Sequence, residues 1–221
     1  GLFDDDRDSN YQIKLIKADY ADSNLLGTDG DYSNRDSNSI DIYYWNSNTS
    51  NNNWSESQLN TVNLNYNFWN NLGSDWQDLI ATTEWKVGGN IYSSIYNSTI
   101  KNVYQNEIVS PAVATTYSDE IGLLYASDYG YATTPENWLT IVSVYYGSNN
   151  WLYLGEFEWT ITRLSEDNIS AFYIAFNGAI SLSESDVFVN PSALRPSFYL
   201  KTNVKLLKGT GTYADPYRLT M

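Results

Sequence analysis

The sequence predicts a single α+β domain, with helices in the N-terminal half and a mostly antiparallel, strand-rich C-terminal half. Three observations carry this. In the first half apolar residues recur at helical spacing, as at Leu59, Val62, Tyr66 and Trp69. In the second half they alternate, as at Phe172, Ile174, Ile180 and Leu182 around Asn177-Gly178. No Gly/Ser/Pro-rich linker and no internal repeat divides the 221 residues, a length that suffices to bury one proper core.

Residues 1–10 form a loose acidic lead-in (Asp4, Asp5, Asp6, Asp8). It reads as a solvated end, because no EF-hand spacing follows. Residues 11–20 (YQIKLIKADY) place Ile13 and Leu15 on one side and Lys14 and Ile16 on the other, a strand. Residues 24–38, with Gly27 and Asp29-Gly30, are turns; 39–45 (SIDIYYW) are a second strand; 46–53 (NSNTSNNN) are a polar loop. Ser55 and Gln58 make a capping-box pattern, so a helix is expected over 55–71, with a break near Asn63. Residues 75–80 turn once more, and Gly88-Gly89 stops the element at 84–87. Ile100, Val103, Tyr104 and Glu107 place a second short helix at 98–108.

A buried strand at 121–126 (IGLLYA) and a Gly/Tyr-rich loop at 127–135 come next. Residues 150–162 alternate across Gly155. Asn177-Gly178 predicts a hairpin through a type I′ turn, which needs positive φ at both central residues. Residues 194–201 (LRPSFYLK) form another strand, with Pro196 at its start or on an edge. Residues 209–216 turn, and 217–221 close the chain.

Twelve Lys and Arg against 26 Asp and Glu leave a net charge of −14. Such a chain lacks the cationic surface that phosphate backbones require, so no nucleic acid partner is expected, and an anionic membrane leaflet repels it too. The absence of Cys and His excludes thiolate chemistry, disulfides, Cys/His zinc sites, His-ligated heme and imidazole triads. No cofactor is expected and no residue is singled out as a metal ligand; whether a calcium ion orders the loops around 29–41 stays open at this point. No run approaches the roughly 18 apolar residues that span a bilayer, and no signal-peptide pattern is present. The start at Gly1 reads as a trimmed or processed end, with any membrane or pilus anchor upstream. Twenty Tyr and 8 Trp with only 17% charged residues suit an extracellular contact surface, since these rings give large contact area at small entropic cost.

The candidate catalytic groups are carboxylates. Glu156 and Glu158 lie two apart on an expected strand and so share a face, and Asp128 is a third candidate. Glycosidases use two carboxylates about 5–9 Å apart, but same-face neighbours on one strand are poorly placed to flank a sugar. The competing reading is one exposed acid and one that anchors a loop. Arg195 is expected within about 4 Å of a carboxylate, with Glu158 the first candidate. Trp85, Trp151 and Trp159 read as core, whereas Trp54 and Trp138 lie beside polar loops and are candidates for stacking on a ligand. No phosphate-cradling glycine loop, nucleophile elbow or HExxH occurs.

Glu158-Trp159-Thr160 and, after a variable stretch, Arg195-Pro196-Ser197-Phe198-Tyr199-Leu200 resemble the C-terminal half of C-type-lectin-like domains of the formylglycine-generating-enzyme type. Four segments are similar to the ectodomains of gut Firmicute pilin-like surface proteins, some of which are targets of diversity-generating retroelements. These are 54–60 (WSESQLN), 80–89 (IATTEWKVGG), 121–132 (IGLLYASDYGYA) and 194–219 (LRPSFYLKTNVKLLKGTGTYADPYRL).

The resemblance implies a C-type-lectin-like, adhesin- or receptor-type binding domain at a cell surface or pilus, not an enzyme. The formylglycine-generating activity needs cysteine, which this chain lacks. In diversified relatives, a template copied with errors at adenines rewrites a C-terminal segment, here about 161–193. Codons AAY altered at their adenines cannot give Lys, Glu, Gln, Met or Trp, and from 168 to 193 only Glu184 lies outside the reachable set.

Alternation makes Phe172, Ile174, Ile180 and Leu182 core-facing anchors. The expected ligand-binding face is then Tyr173, Ala175, Phe176, Ala179, Ser181, Ser183, Ser185, Asp186, Phe188, Asn190 and Ser192. Its partner would be a protein or glycan on another cell or phage. The alternatives are a plain two-faced hairpin without diversification, a carbohydrate-active enzyme using Glu156, Glu158 or Asp128, and a purely structural pilin subunit.

Overall fold

The computed structural model describes residues 2–3, 12–48, 51–96, 98–134, 136, 150–182, 190–210, 212 and 214–221. The first half runs β1 (Leu2–Phe3), β2 (Gln12–Ile16), α1 (Ser23–Leu26), β3 (Tyr32–Arg35), β4 (Asp41–Tyr43) and a 3-10 turn (Trp54–Glu56). A π-helix (Leu59–Phe68) runs into α2 (Trp69–Asn71), followed by α3 (Ser74–Gln77), β5 (Thr83–Lys86) and α4 (Tyr92–Tyr96). α5 (Ile100–Tyr104) continues into a π-turn (Gln105–Val109), then β6 (Thr116–Asp119) and α6 (Ala126–Tyr131). The remainder is β7 (Glu158–Arg163), β8 (Ala171–Ile174), β9 (Ile180–Leu182), β10 (Ser197–Tyr199), β11 (Lys205–Lys208) and β12 (Arg218–Thr220). This is an α+β fold of small antiparallel sheets.

β2 is central to the sheet β1-β2-β10 and pairs antiparallel with β10, Lys14 opposite Tyr199 and Ile16 opposite Ser197. Pro196 immediately precedes β10, and its carbonyl accepts from Lys17 N–H (3.0 Å). The sheet β7-β8-β9 lies between two core clusters. Trp159, Ile161 and Ala171 pack into the larger one with Trp45, Trp54, Trp85 and Tyr43. Phe172, Ile174, Ile180 and Leu182 pack into the smaller one with Ile95, Ile100, Val103 and Tyr129, the anchors that alternation picks out. Two buried indoles tie β4 and the bend after it to β7: Trp45 donates to the Thr160 carbonyl (3.0 Å) and Trp159 to the Tyr43 carbonyl (2.9 Å).

The helix over 58–71 does not break at Asn63, and Ser55 and Gln58 do not cap it. Ser57 does: its hydroxyl accepts from Asn60 N–H (3.1 Å) and its carbonyl from Thr61 N–H (3.0 Å). Asn63 is buried because it serves the neighbouring loop. Its Oδ1 accepts from Asp31 N–H, and its Nδ2 donates to the Leu26 and Asp29 carbonyls (2.9 Å each). Asn67 donates to the Leu26 carbonyl (3.0 Å), and Asn71 to those of Asn24 and Leu25 (3.2 and 3.0 Å). Three asparagines spaced by four thus staple one helix face to the backbone carbonyls of 24–29.

The stretch 121–126 is buried but is no strand. Only Gly122 bridges, to Ser197, and α6 occupies the expected loop at 127–135. Gly122 is required by packing, since a Cβ there would lie 2.8 Å from the Trp85 ring. Gly122→Ala is therefore expected to destabilise the fold by about 1–3 kcal/mol, read as a lowered urea midpoint at unchanged m-value. Among the described residues no helix is long and apolar enough to cross a membrane.

Candidate binding face

The β8–β9 hairpin sets Phe172 opposite Leu182, Tyr173 opposite Ser181 and Ile174 opposite Ile180. Its turn is not type I′. Ala175 N–H bonds the Ala179 carbonyl and Gly178 N–H the Ala175 carbonyl, both at 2.8 Å, leaving a three-residue loop. Only Gly178 has positive φ (82°), the position in such loops that favours glycine. Two tyrosines brace this turn through its carbonyls: Tyr129 donates to Gly178 (2.7 Å) and Tyr153 to Phe176.

The brace leaves Phe176 62% exposed at the tip. Its ring meets Phe157 edge-on at 5.5 Å, Phe157 meets Tyr173 at 5.7 Å, and Tyr173 meets the buried Trp159 at 5.8 Å. A chain of four rings thus runs from core to solvent. Phe157 and Leu154 are both exposed, and Trp151, at the start of the same loop, is 73% exposed.

The loop 150–157 that carries Phe157 is held at several points. Asn150 Nδ2 donates to the Tyr129 carbonyl (2.9 Å), and Leu152 N–H to Asn150 Oδ1 (2.9 Å). Glu156 N–H donates to Tyr20 Oη (3.1 Å), and Ala193 N–H to the Phe157 carbonyl (2.8 Å). Beneath it, Arg195 forms a bidentate pair with Glu158, Nε to Oε1 and Nη2 to Oε2 at 2.8 Å each, and Nη2 also donates to the Leu152 carbonyl. The expected Arg195–Glu158 contact is present and is fully buried. Burial pushes the Glu158 carboxyl up from the ordinary range, and the Arg195 guanidinium opposes that rise.

Of the expected face, Phe176 and Asn190 are exposed, and Tyr173 and Ser181 are half-buried. Ala175, Ala179 and Ser192 are not on it. Ala175 and Ala179 close the hairpin loop and are buried, and Ser192 is drawn in by two backbone bonds with Tyr43 (2.9 Å each). Ser183, Ser185, Asp186 and Phe188 lie outside the described residues, as does Trp138. Trp54 is a core residue, packed edge-on against Trp45 at 5.4 Å, whereas Trp151 is exposed, the reverse of the sequence expectation. Phe157, Leu154 and Tyr153 join the site although alternation across Gly155 gave no sign of it. The strand starts only at Glu158, and the residues before it turn.

The carboxylates considered for catalysis are engaged in the frame. Glu158 holds Arg195, and Glu156, in a bend rather than a strand, accepts from Asn38 Nδ2. Asp128 accepts from Tyr125 N–H (2.8 Å) and pairs with Lys14 (2.5 Å), a buried ammonium faced by the Tyr125, Trp85 and Tyr199 rings at 4.4, 5.2 and 5.3 Å. Buried Glu107 accepts from Ser127 N–H (3.1 Å) and Thr162 Oγ1 (2.8 Å), and burial pushes its carboxyl up to about 7. These groups stitch α6, β2, β7 and the π-turn together. Comparison with protein-family models, with curated proteins and with solved structures finds no match for the chain.

Proposed function

We propose that this chain is a non-enzymatic ligand-binding domain with a C-type-lectin-like fold, displayed on the outside of a bacterial cell or pilus. Its binding face is the tip of the β8–β9 hairpin together with the loop 150–157, and the segment 161–193 is the part that varies between copies. The partner is a protein or glycan on another cell or phage. The observation that carries this reading is the pair of exposed rings Phe157 and Phe176, packed on half-buried Tyr173 beside a turn whose carbonyls are tied to Tyr129 and Tyr153. Apolar rings left in water on a stiff support are what interaction sites use, because little freedom remains to be lost on binding. The engagement of Glu158 and Asp128 in buried ion pairs favours binding over acid–base catalysis.

The test is binding of the wild-type chain to an array of bacterial surface glycans and to intact bacterial cells, beside Phe176→Ala and Phe157→Ala. Both variants are expected to lose about 10- to 30-fold in affinity, the range of an aromatic anchor, with thermal midpoints within a few degrees of wild type. Binding unaffected by both substitutions, or turnover of a sugar polymer, refutes the reading. Diversification has its own readout in the neighbouring DNA: a reverse transcriptase gene and a near-copy of the segment that differs only at adenines.

A further inference from the structure

We infer that the C-terminal hairpin, β11–β12, is a docking surface for a second copy of this chain, joined head to tail. Residues 201–221 hold four of the twelve cations (Lys201, Lys205, Lys208, Arg218) and one of the 26 acids (Asp215), which leaves eight cations against 25 acids in the rest. Lys205, Lys208 and Arg218 are exposed, and none forms an ion pair among the described residues.

Lys208 and Arg218 stand directly opposite each other in the ladder. Like charges at that position weaken a sheet, so the pair does not serve the hairpin itself. Leu207 and Tyr217 are 61% and 59% exposed, while Val204 and Leu219 pack toward the core. Edge lysines alone are a common guard against stray strand pairing. That guard explains neither the opposed cations nor the apolar side chains beside them.

A surface that is both cationic and apolar calls for a partner that is both acidic and apolar. The remainder of the chain carries the excess of acids and exposes Tyr66, Trp76 and Tyr92, with exposed Asp75 and Asp78 on either side of Trp76. A phosphate polymer supplies charge without the apolar part. Two hairpins cannot pair with each other, since that would oppose their cations, so the contact is heterologous and propagates from copy to copy. This inference does not depend on the binding face proposed above.

Each copy carries −14, so whole molecules repel at long range. At about 0.01 M salt the screening length is roughly 30 Å and repulsion dominates; near 0.15 M it is about 8 Å, so distant charges are hidden while contacts survive; at 1 M, about 3 Å, the contacts fade too. Association is therefore expected to peak at intermediate salt.

The test is sedimentation velocity of the full chain at these three salt concentrations, beside Lys205→Glu/Lys208→Glu/Arg218→Glu and the milder Lys208→Gln/Arg218→Gln. Wild type is expected to associate most near 0.15 M. Charge reversal is expected to weaken association at least about tenfold, and the glutamine pair should weaken it by less with an intact circular dichroism spectrum. The reversed variant keeps an acceptor surface, so adding it to wild type should shorten the assemblies. A monomer at all three salts overturns the inference, including one that instead binds inorganic polyphosphate. So does association that rises steadily with salt, or association that both variants leave unchanged.

Discussion

Arg195→Met is expected to cost the fold about 3–5 kcal/mol, the range for removing one partner of a buried ion pair. Both side chains of the Arg195–Glu158 pair are almost wholly inaccessible, and two parallel hydrogen bonds of 2.8 Å join them. Methionine fills much of the volume but leaves the Glu158 carboxylate in an apolar setting with nothing to compensate its charge. The Leu152 carbonyl loses its donor as well, so the loop under Phe157 should loosen. Urea unfolding followed by circular dichroism measures the loss. Arg195→Met/Glu158→Leu should recover much of it, because replacing both partners removes the stranded charge. A single-variant cost below about 1 kcal/mol would mean that the pair is not closed in solution.

Glu107→Gln should change the pH dependence of stability more than its magnitude at any one pH. Burial raises the Glu107 carboxyl to about 7, against the hydrogen bonds from Ser127 and Thr162 that favour the charged form. The folded chain therefore holds this proton at pH values where the unfolded chain has released it. Its contribution is full below the ordinary carboxylate pKa of about 4.3 and is lost as pH rises toward 7, a span on the order of 3 kcal/mol. Glutamine cannot release that proton, so the variant should gain on wild type steadily across this window. A fixed offset is also expected, since the amide cannot accept from Ser127 N–H and Thr162 Oγ1 on separate oxygens. Unfolding free energies at pH 4.5, 5.5 and 7 give the difference profile; a level one would show Glu107 charged throughout.

What the sequence made legible was local. Asn177-Gly178 marked the hairpin because glycine was needed at a positive φ, and alternation on either side marked its buried residues, Phe172, Ile174, Ile180 and Leu182. The Arg195–Glu158 pair was legible because a cation and an acid in two strand-like motifs have few other ways to be buried. Tertiary reasons were hidden. Asn63, Asn67 and Asn71 look like helix-weakening residues until the carbonyls of 24–29 lie beside them as acceptors. α6 contains Gly130, which reads as a breaker, yet it is buried in the helix and faces Ile100 so closely that a Cβ would lie 3.0 Å from that side chain. Trp54 and Trp151 exchanged expected places because polar neighbours in sequence say little about which side of a turn faces the core.

The pairing of β2 with β10 joins residues roughly 180 positions apart, and Ala21 and Lys17 likewise find their partners in Leu194 and Pro196. Nothing made earlier in synthesis can stand in for that late strand. A chain cut short or thrown out of frame upstream of residue 194 leaves β2 with β1 alone and takes the backbone partners of Lys17 and Ala21 away. If 161–193 varies between copies, as proposed, a rewrite that shifts the reading frame also forfeits β10, and with it the closure of this sheet.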